Sequence, residues 1–428
     1  MDAIKKKTVK QRRLKPKLRF PEFWNMDDWE IKQLGFVCDM QAGQYVSASD
    51  ISEQYESGLY PCYGGNGLRG YTKTYTHSGK YPLIGRQGAL CGNINLGIGQ
   101  FYATEHAVVV TSKDGIDVVW LFYNLINLNL NQYATGQAQP GLSVTVLEKV
   151  DTAIPASIKE QQKIANCLTS LDELIVTQSE KLDALKVHKK GLLEQLFPAE
   201  GETVPQLRFP EFRDAVEWKT ELFANVYQFK FTNSFSREQL NYSDGLVRNI
   251  HYGDIHTKFS TLFNIENEMV PFVNSSESLE KIKSENYCVE GDMIFADASE
   301  DTEDVGKSIE IVHLNNETVL SGLHTLLARQ KEDNLVVGFG GYLFKSRRIR
   351  AQIKREAQGT KVYAISAGRL SNIQVCFPSD KQEQRKIADC LSSLDELIAK
   401  QNQKLNALKV HKKGLMQQLF PALEEVDK

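Results

Sequence analysis

The sequence predicts an α+β protein built twice: two diverged globular domains, each followed by a long amphipathic helix. The two helices are expected to pack as an antiparallel coiled coil with pseudo-two-fold symmetry, placing the globular domains at opposite ends. Three observations carry this reading. Glu160 to Pro198 recurs as Glu383 to Pro421 at a constant offset of 223, identical at 29 of 39 positions, and a repeat of this length outranks every other signal in the chain. Both copies carry an apolar heptad seam. The hexapeptide Leu-Arg-Phe-Pro-Glu-Phe stands at 18–23 and again at 207–212, each followed at the same distance by a tryptophan, Trp29 and Trp218.

The repeat predicts the following order: a basic tail at 1–17, a globular domain at 18–158, a first helix at 159–198 and a linker at 199–206. A second globular domain at 207–381, a second helix at 382–421 and a tail at 422–428 complete it. The tail is basic, with nine Lys or Arg against Asp2 in residues 1–19, but no apolar core follows it, so it does not read as a secretory signal. In the first helix the seam is Ile164, Leu168, Leu171, Ile175, Leu182, Leu185, Leu192 and Leu196. In the second it is Ile387, Leu391, Leu394, Ile398, Leu405, Leu408, Leu415 and Leu419. The alternation of four and three is that of a coiled coil. Gln178 and Lys189, with Gln401 and Lys412 in the second copy, fill the skipped seam positions. No Gly or Pro interrupts either run before Gly191 and Gly414, so each helix can extend on the order of 50 Å. Lys186, Lys189 and Lys190, matched by Lys409, Lys412 and Lys413, read as an outward basic cluster, either solvated or a protein-docking surface.

Between hexapeptide and helix the halves barely match. Short apolar runs split by Gly, Asn and Asp predict strands and tight turns, such as Tyr60 to Tyr71 in the first domain and Val247 to His256 in the second. The hexapeptide itself reads as a hydrophobic plug with its Arg paired to its Glu. A constant scaffold with unlike end domains suits a ruler presenting two different readers, since recognition sits on loops held by a rigid frame.

Composition bounds the function. The chain has 428 residues, 41% hydrophobic and 25% charged, with net charge −3, ordinary values for a soluble protein. Val118 to Leu130 holds three Asn and falls short of a membrane span. Seven scattered Cys without a Cys-x-x-Cys pair fit reduced thiols in the cytoplasm and not a structural zinc site. No Walker loop, His-Glu-x-x-His or Asn-Pro-Pro-aromatic run is present. Glu30-x-Lys32 lacks the Pro-Asp partner of a nuclease pair, and Val337-Gly338-Phe339-Gly340-Gly341 reads as a plain turn and not as a cofactor loop. The basic run 345–361, with seven Lys or Arg against Glu356, reads equally as a solvated helix face or a nucleic-acid contact.

The twin heptad helices closed by Leu-Phe-Pro, the repeated hexapeptide and the Tyr63-Gly64-Gly65-Asn66-Gly67-Leu68-Arg69-Gly70-Tyr71 run resemble the specificity (S) subunit of type I restriction–modification enzymes. Ala138 to Leu142 and Arg248 to His256 are similar to family features as well. The resemblance implies a non-catalytic subunit whose two target-recognition domains each read one half of a bipartite site on double-stranded DNA. The helices would set the gap and bind two modification (methyltransferase) subunits. S-adenosylmethionine, ATP and magnesium would belong to those partners and to restriction (endonuclease/translocase) subunits, none being bound by this chain and no membrane being involved.

DNA contacts divide into positioning and reading sets, and readers are expected among polar side chains on Gly-rich turns. In the first domain these are Asn66, Arg69, Arg86 and Gln87, with Gln137 and Gln139. In the second they are Arg248, His251, His256 and Lys258, with Lys361 near a phosphate. Arg suits guanine, and Asn or Gln suits adenine. His106 and His324 lie in apolar stretches and read as satisfied core histidines. The competing reading is a coiled-coil structural or protein-interaction rod with ligand-binding end domains.

Overall fold

A computed structural model of the protein describes residues 13–88, 90–136 and 140–423. The chain divides into two compact units, one of residues 1–179 with 403–428 and the other of residues 180–402. The repeat places the long helices at 159–198 and 382–421, and the two compact units divide each of them.

The first unit contains β1 (Arg13–Leu14), β2 (Trp29–Gln33), β3 (Cys38–Ala42), β4 (Tyr60–Gly64), β5 (Gly67–Thr72), β6 (His77–Gly85), β7 (Ile94–Ala103) and β8 (Ala107–Ser112). Helices α1 (Val118–Asn127) and α2 (Val144–Leu147) and strand β9 (Asp151–Ile154) follow, then the long helix α3 (Ile158–Leu196). β1, β2 and β9 form one sheet; the other is six-stranded in the order β3-β8-β6-β7-β4-β5. β8 lies between β3 and β6 because Ala107 to Val110 is an unbroken apolar run, buried throughout, and β-branched runs of this kind suit an interior strand. The Asp117 carboxylate starts α1 by accepting the N–H groups of Val119 and Trp120, the usual N-cap arrangement. Glu30 and Lys32 face each other as a 3.0 Å ion pair on β2.

The second unit contains β10 (Lys219–Leu222), α4 (Phe223–Val226), β11 (Tyr227–Lys230), β12 (Leu240–Asn241), β13 (Arg248–Ile250), α5 (Tyr252–Thr257), β14 (Leu262–Asn264), β15 (Phe272–Val273), β16 (Met293–Ala296), β17 (Ala298–Ser299), β18 (Ser308–His313), β19 (Val319–Ser321) and β20 (Thr325–Gln330). Then come α6 (Phe339–Leu343), α7 (Arg347–Glu356), β21 (Tyr363–Ala364), α8 (Ala367–Leu370), β22 (Gln374–Phe377) and the second long helix α9 (Lys381–Leu419). Its main sheet runs β11-β20-β16-β18-β14, with smaller sheets β12-β15-β13-β19, β10-β22 and β17-β21. Both units thus mix helix and sheet, with different strand orders. No helix among the described residues is long and apolar enough to cross a membrane.

What the two units share is a buried polar node. In the first, Glu160 of α3 accepts from Arg19 on both oxygens, at 2.7 and 2.8 Å, and from Trp29 Nε1 at 3.2 Å. In the second, Glu383 of α9 accepts from Arg208 at 2.7 Å on both oxygens and from Trp218 Nε1 at 3.1 Å. Arg19 and Arg208 also donate to two carbonyls each, Met26 and Asp27 or Ala215 and Val216. The hexapeptide Arg therefore pairs with the helix repeat and not with its neighbouring Glu. Glu22 and Glu211 pair instead with Lys163 and Lys386 at 3.0 Å, because the Pro-initiated 3-10 turn at each points them outward. One residue after each of these Glu, Gln161 and Gln384 bolt the first turn down: their amides donate to the carbonyls of Gly115 and Pro155 or of Asn334 and Pro378.

The Leu-Phe-Pro endings are core residues. Leu419 and Phe420 pack in the first unit with Trp29 and Trp120, and Leu196 and Phe197 pack in the second with Trp218 and Phe339. The Trp–Phe pairs meet edge-on at 6.1 and 6.0 Å, a favoured aromatic geometry. All sixteen expected seam residues are buried or half-buried. Lys189 and Lys412 do not belong to an outward cluster: Lys412 pairs with Asp172 in the first unit and Lys189 with Asp395 in the second. Each carboxylate also accepts a tyrosine hydroxyl, Tyr123 at 2.7 Å or Tyr342 at 2.8 Å. Lys186 remains exposed.

The Val337 to Gly341 run turns into α6, and the Glu310 carboxylate accepts its Gly338 and Gly341 N–H groups at 2.9 and 2.6 Å. Burial pushes Glu310 up to about 7, against the lowering effect of those two N–H groups. A carboxyl raised on folding stabilises most below its unfolded value and loses that contribution as pH rises through the folded one. The loss from pH 4.5 to pH 7 amounts to about 3 kcal/mol. Urea unfolding of the second unit at several pH values checks this: Glu310→Gln removes that decline, and an identical pH profile in variant and parent refutes it.

Candidate nucleic-acid interface

In the first unit three expected readers, Asn66, Arg69 and Gln87, are gathered at one cleft by a hairpin. β4 and β5 pair from Tyr60↔Thr72 to Gly64↔Gly67, with Gly67 in the left-handed region at φ +101°, where a side chain would be strained. The end of β6 presses on this turn so closely that a Cβ on Gly85 would lie 2.0 Å from the Gly65 carbonyl oxygen. Backbone contact of that kind requires glycine, and it brings Gln87 into one cleft with Asn66. A solvent-open cleft of about 490 Å³ results, lined by residues 64–69 with Gln87, Gly88 and His106. Asn66, Arg69 and Gln87 are exposed. Arg86 is half-buried, its Nε without a partner, and its backbone is tied to His106 and Leu142. His106 is not a core residue: its side chain is 43% exposed, 3.4 Å from Glu105, because the turn joining β7 and β8 projects it into the cleft. Gln137 and Gln139 lie outside the described residues.

In the second unit the expected readers separate into structural and surface groups. Arg248 is consumed internally. It pairs with Glu317, donates to the Val270 carbonyl at 2.9 Å and lies 4.2 Å from the Phe272 ring, so its guanidinium clamps neighbouring strands. His251 is buried, its Nδ1 accepting the Gly253 N–H at the start of α5. Burial, with help from nearby Arg237, drops its pKa to about 4, so at neutral pH it is an uncharged cap. His256 places Nε2 3.0 Å from the Ala298 carbonyl, and its buried Nδ1 has no partner.

Lys258 is half-exposed, 2.9 Å from the buried Asp254 and 3.3 Å from the Tyr242 hydroxyl. Arg237, which carried no sequence signal, binds both Asp254 oxygens at 2.8 Å. Burial raises Asp254, yet the two cations outweigh it and hold the carboxyl below its usual range. Two cations on one carboxylate leave the patch positive. Lys361 is exposed in the turn before β21, which pairs with β17. His324 is also at the surface, 51% exposed, on the turn between β19 and β20. The basic run 345–361 is divided: Lys345 is half-buried on Thr261, Arg348 donates to the Glu202 carbonyl and Arg350 to the Glu303, Val305 and Gly306 carbonyls, whereas Arg347, Arg355 and Lys361 are exposed.

These features define a duplicated helix-and-sheet scaffold carrying two unlike polar surfaces. Residues 26–187 and 251–410 each match the family described as type I restriction modification DNA specificity domain, and the chain belongs to that family. It is similar to the type I restriction enzyme EcoprrI specificity subunit of Escherichia coli, 53% identical over 144 residues, which span 33% of this chain and 36% of that one. Similarity to the type I restriction enzyme MjaVIII specificity subunit of Methanocaldococcus jannaschii extends over 94% of this chain and 93% of the other at 23% identity. The fold is shared with the type I S subunit of M. genitalium at a TM-score of 0.62 and 15% identity, covering 96% of this chain and 100% of that one.

Proposed function

We propose that this chain is the cytoplasmic, non-catalytic DNA-specificity subunit of a type I restriction–modification complex, each unit reading one half of a bipartite duplex site. One observation carries the reading: the node of Arg, Glu and Trp and the Leu-Phe plug are repeated atom for atom, while the cleft of the first unit and the cationic patch of the second are chemically unlike. In this reading Asn66, Arg69 and Gln87, with Arg86 and His106 beside them, face one half-site. Lys258, Arg237 and Lys361 supply local positive charge at the other, enough for phosphate contact despite the net charge of −3. α3 and α9 pack as an antiparallel coiled coil that sets the unread gap. Supporting this, each unit joins an early stretch of one helix to a late stretch of the other, through Asp172 with Lys412 and Lys189 with Asp395. The duplicated helices would dock two modification subunits around the pseudo-two-fold axis. Those subunits hold S-adenosylmethionine, and restriction subunits hold ATP and magnesium.

Mapping adenine methylation in cells expressing the chain with its modification partner tests this. A split motif is expected, and exchanging residues 207–381 for another such domain should alter one half only. Inserting one heptad into each helix adds about 10 Å, so the gap should widen by about three base pairs at 3.4 Å per pair. A continuous motif, or a gap indifferent to the insertion, would defeat the proposal.

A further inference from the structure

We infer that His324 is a base-reading residue of the second unit, with Asp297 as its positioning residue. It presents an imidazole acceptor to the exocyclic amine of adenine or cytosine in the major groove. This inference rests on the DNA-reading role proposed above.

His324 occupies the turn between β19 and β20 with φ +54°, a conformation few non-glycine residues adopt. The turn is held from several directions. Ser321 Oγ and Thr325 Oγ1 lie 2.7 Å apart across it, and the His324 carbonyl accepts the Asp297 N–H at 3.0 Å. The ring is fixed as well. Its Nδ1 lies 3.2 Å from Asp297 Oδ1, and Tyr252 meets it edge-on at 5.3 Å. Residues held off the common backbone regions cluster where function over-determines them.

The chemistry follows from the partner. A carboxylate offers no proton, so Nδ1 must carry the hydrogen, and in the neutral ring Nε2 is then an acceptor. The ring is half-exposed, whereas His251 is buried as a helix cap. In the major groove an acceptor matches the amines of adenine N6 and cytosine N4, while guanine and thymine offer O6 and O4 acceptors in the corresponding positions. The surroundings suit DNA. Tyr252 also stands beside His251 and His256 on α5, the helix that ends at the cationic Lys258. Asp297 directly precedes β17, whose partner β21 follows the turn bearing Lys361.

The test reconstitutes the full chain with its modification subunits and measures adenine methylation on duplexes randomised in the second half-site. His324→Ala should weaken the preference for adenine or cytosine at one position by about tenfold or more, with the first half-site unchanged. The weakened position identifies which base is read. His324→Gln, whose carbonyl can still accept, should retain part of the preference. Asp297→Asn, whose amide can donate to Nδ1 and reverse the tautomer, should blur the same position. Lys258→Ala should lower methylation of all sequences alike. Should His324→Ala also act evenly on all sequences, the inference is overturned while the split motif stands. If His324→Ala fails to fold, an unaltered base preference in both His324→Gln and Asp297→Asn overturns it equally. A parent complex with no split motif removes the functional reading itself.

Discussion

Glu383→Ala should destabilise the second unit by about 3–5 kcal/mol, the cost of orphaning a buried charge. Glu383 is 1% exposed and Arg208 8%, so water cannot replace the lost partner. The substitution removes both of its bonds to the Arg208 guanidinium and its bond to Trp218 Nε1 at a stroke. The two carbonyl bonds of Arg208 remain but do not neutralise it. Hydrogen exchange over residues 207–230 localises the effect, and denaturant unfolding gives its size. Replacing both partners by apolar residues, Arg208→Met with Glu383→Leu, should cost less than the single change, because no charge is then stranded. A loss below about 1 kcal/mol for Glu383→Ala would show that the node is open to solvent. Glu160→Ala repeats the experiment in the first unit, where Arg19 is the stranded cation.

Phe420→Ala should cost about 3–5 kcal/mol, and the damage should fall at the far end of the sequence, in the unit that begins the chain. Phe420 is 3% exposed, edge-on to Trp29 at 6.1 Å and tilted against Trp120 at 6.2 Å. Removing the ring opens a cavity beneath both indoles. Hydrogen exchange should rise across β2 and α1 and stay unchanged in β16, β18 and β20. Phe197→Ala should do the reverse, since Phe197 contacts Trp218 and Phe339. If Phe420→Ala loosened the second unit instead, the assignment of α9's end to the first would be wrong.

Much of the scaffold was legible in the residues themselves. Heptad spacing needs only neighbours three and four apart, so Leu168 and Leu391 declare a buried face without reference to the fold. The duplicated hexapeptide announced a shared structural duty. The Gly-rich hairpin was legible too, since Gly67 holds a left-handed conformation that strains a side chain and Gly85 leaves no room for one, and it did gather Asn66, Arg69 and Gln87. The second unit was harder. Arg248 and Lys258 look alike as cations, but one is consumed by Glu317 and Phe272 and the other stands at the surface. Arg237 carried no signal, because its partner Asp254 lies 17 residues away.

The sequence alone determined the duplication, both long helices and their buried seam, because these follow from local periodicity and identity. Only the tertiary structure decided that Arg19 answers Glu160 and not Glu22, that Phe420 completes the core around Trp29, and that His106 and His324 face solvent. Those outcomes depend on which groups distant in the chain compete for the same buried volume or the same carboxylate. Such competition is settled by packing and desolvation in three dimensions, which spacing along the chain does not encode.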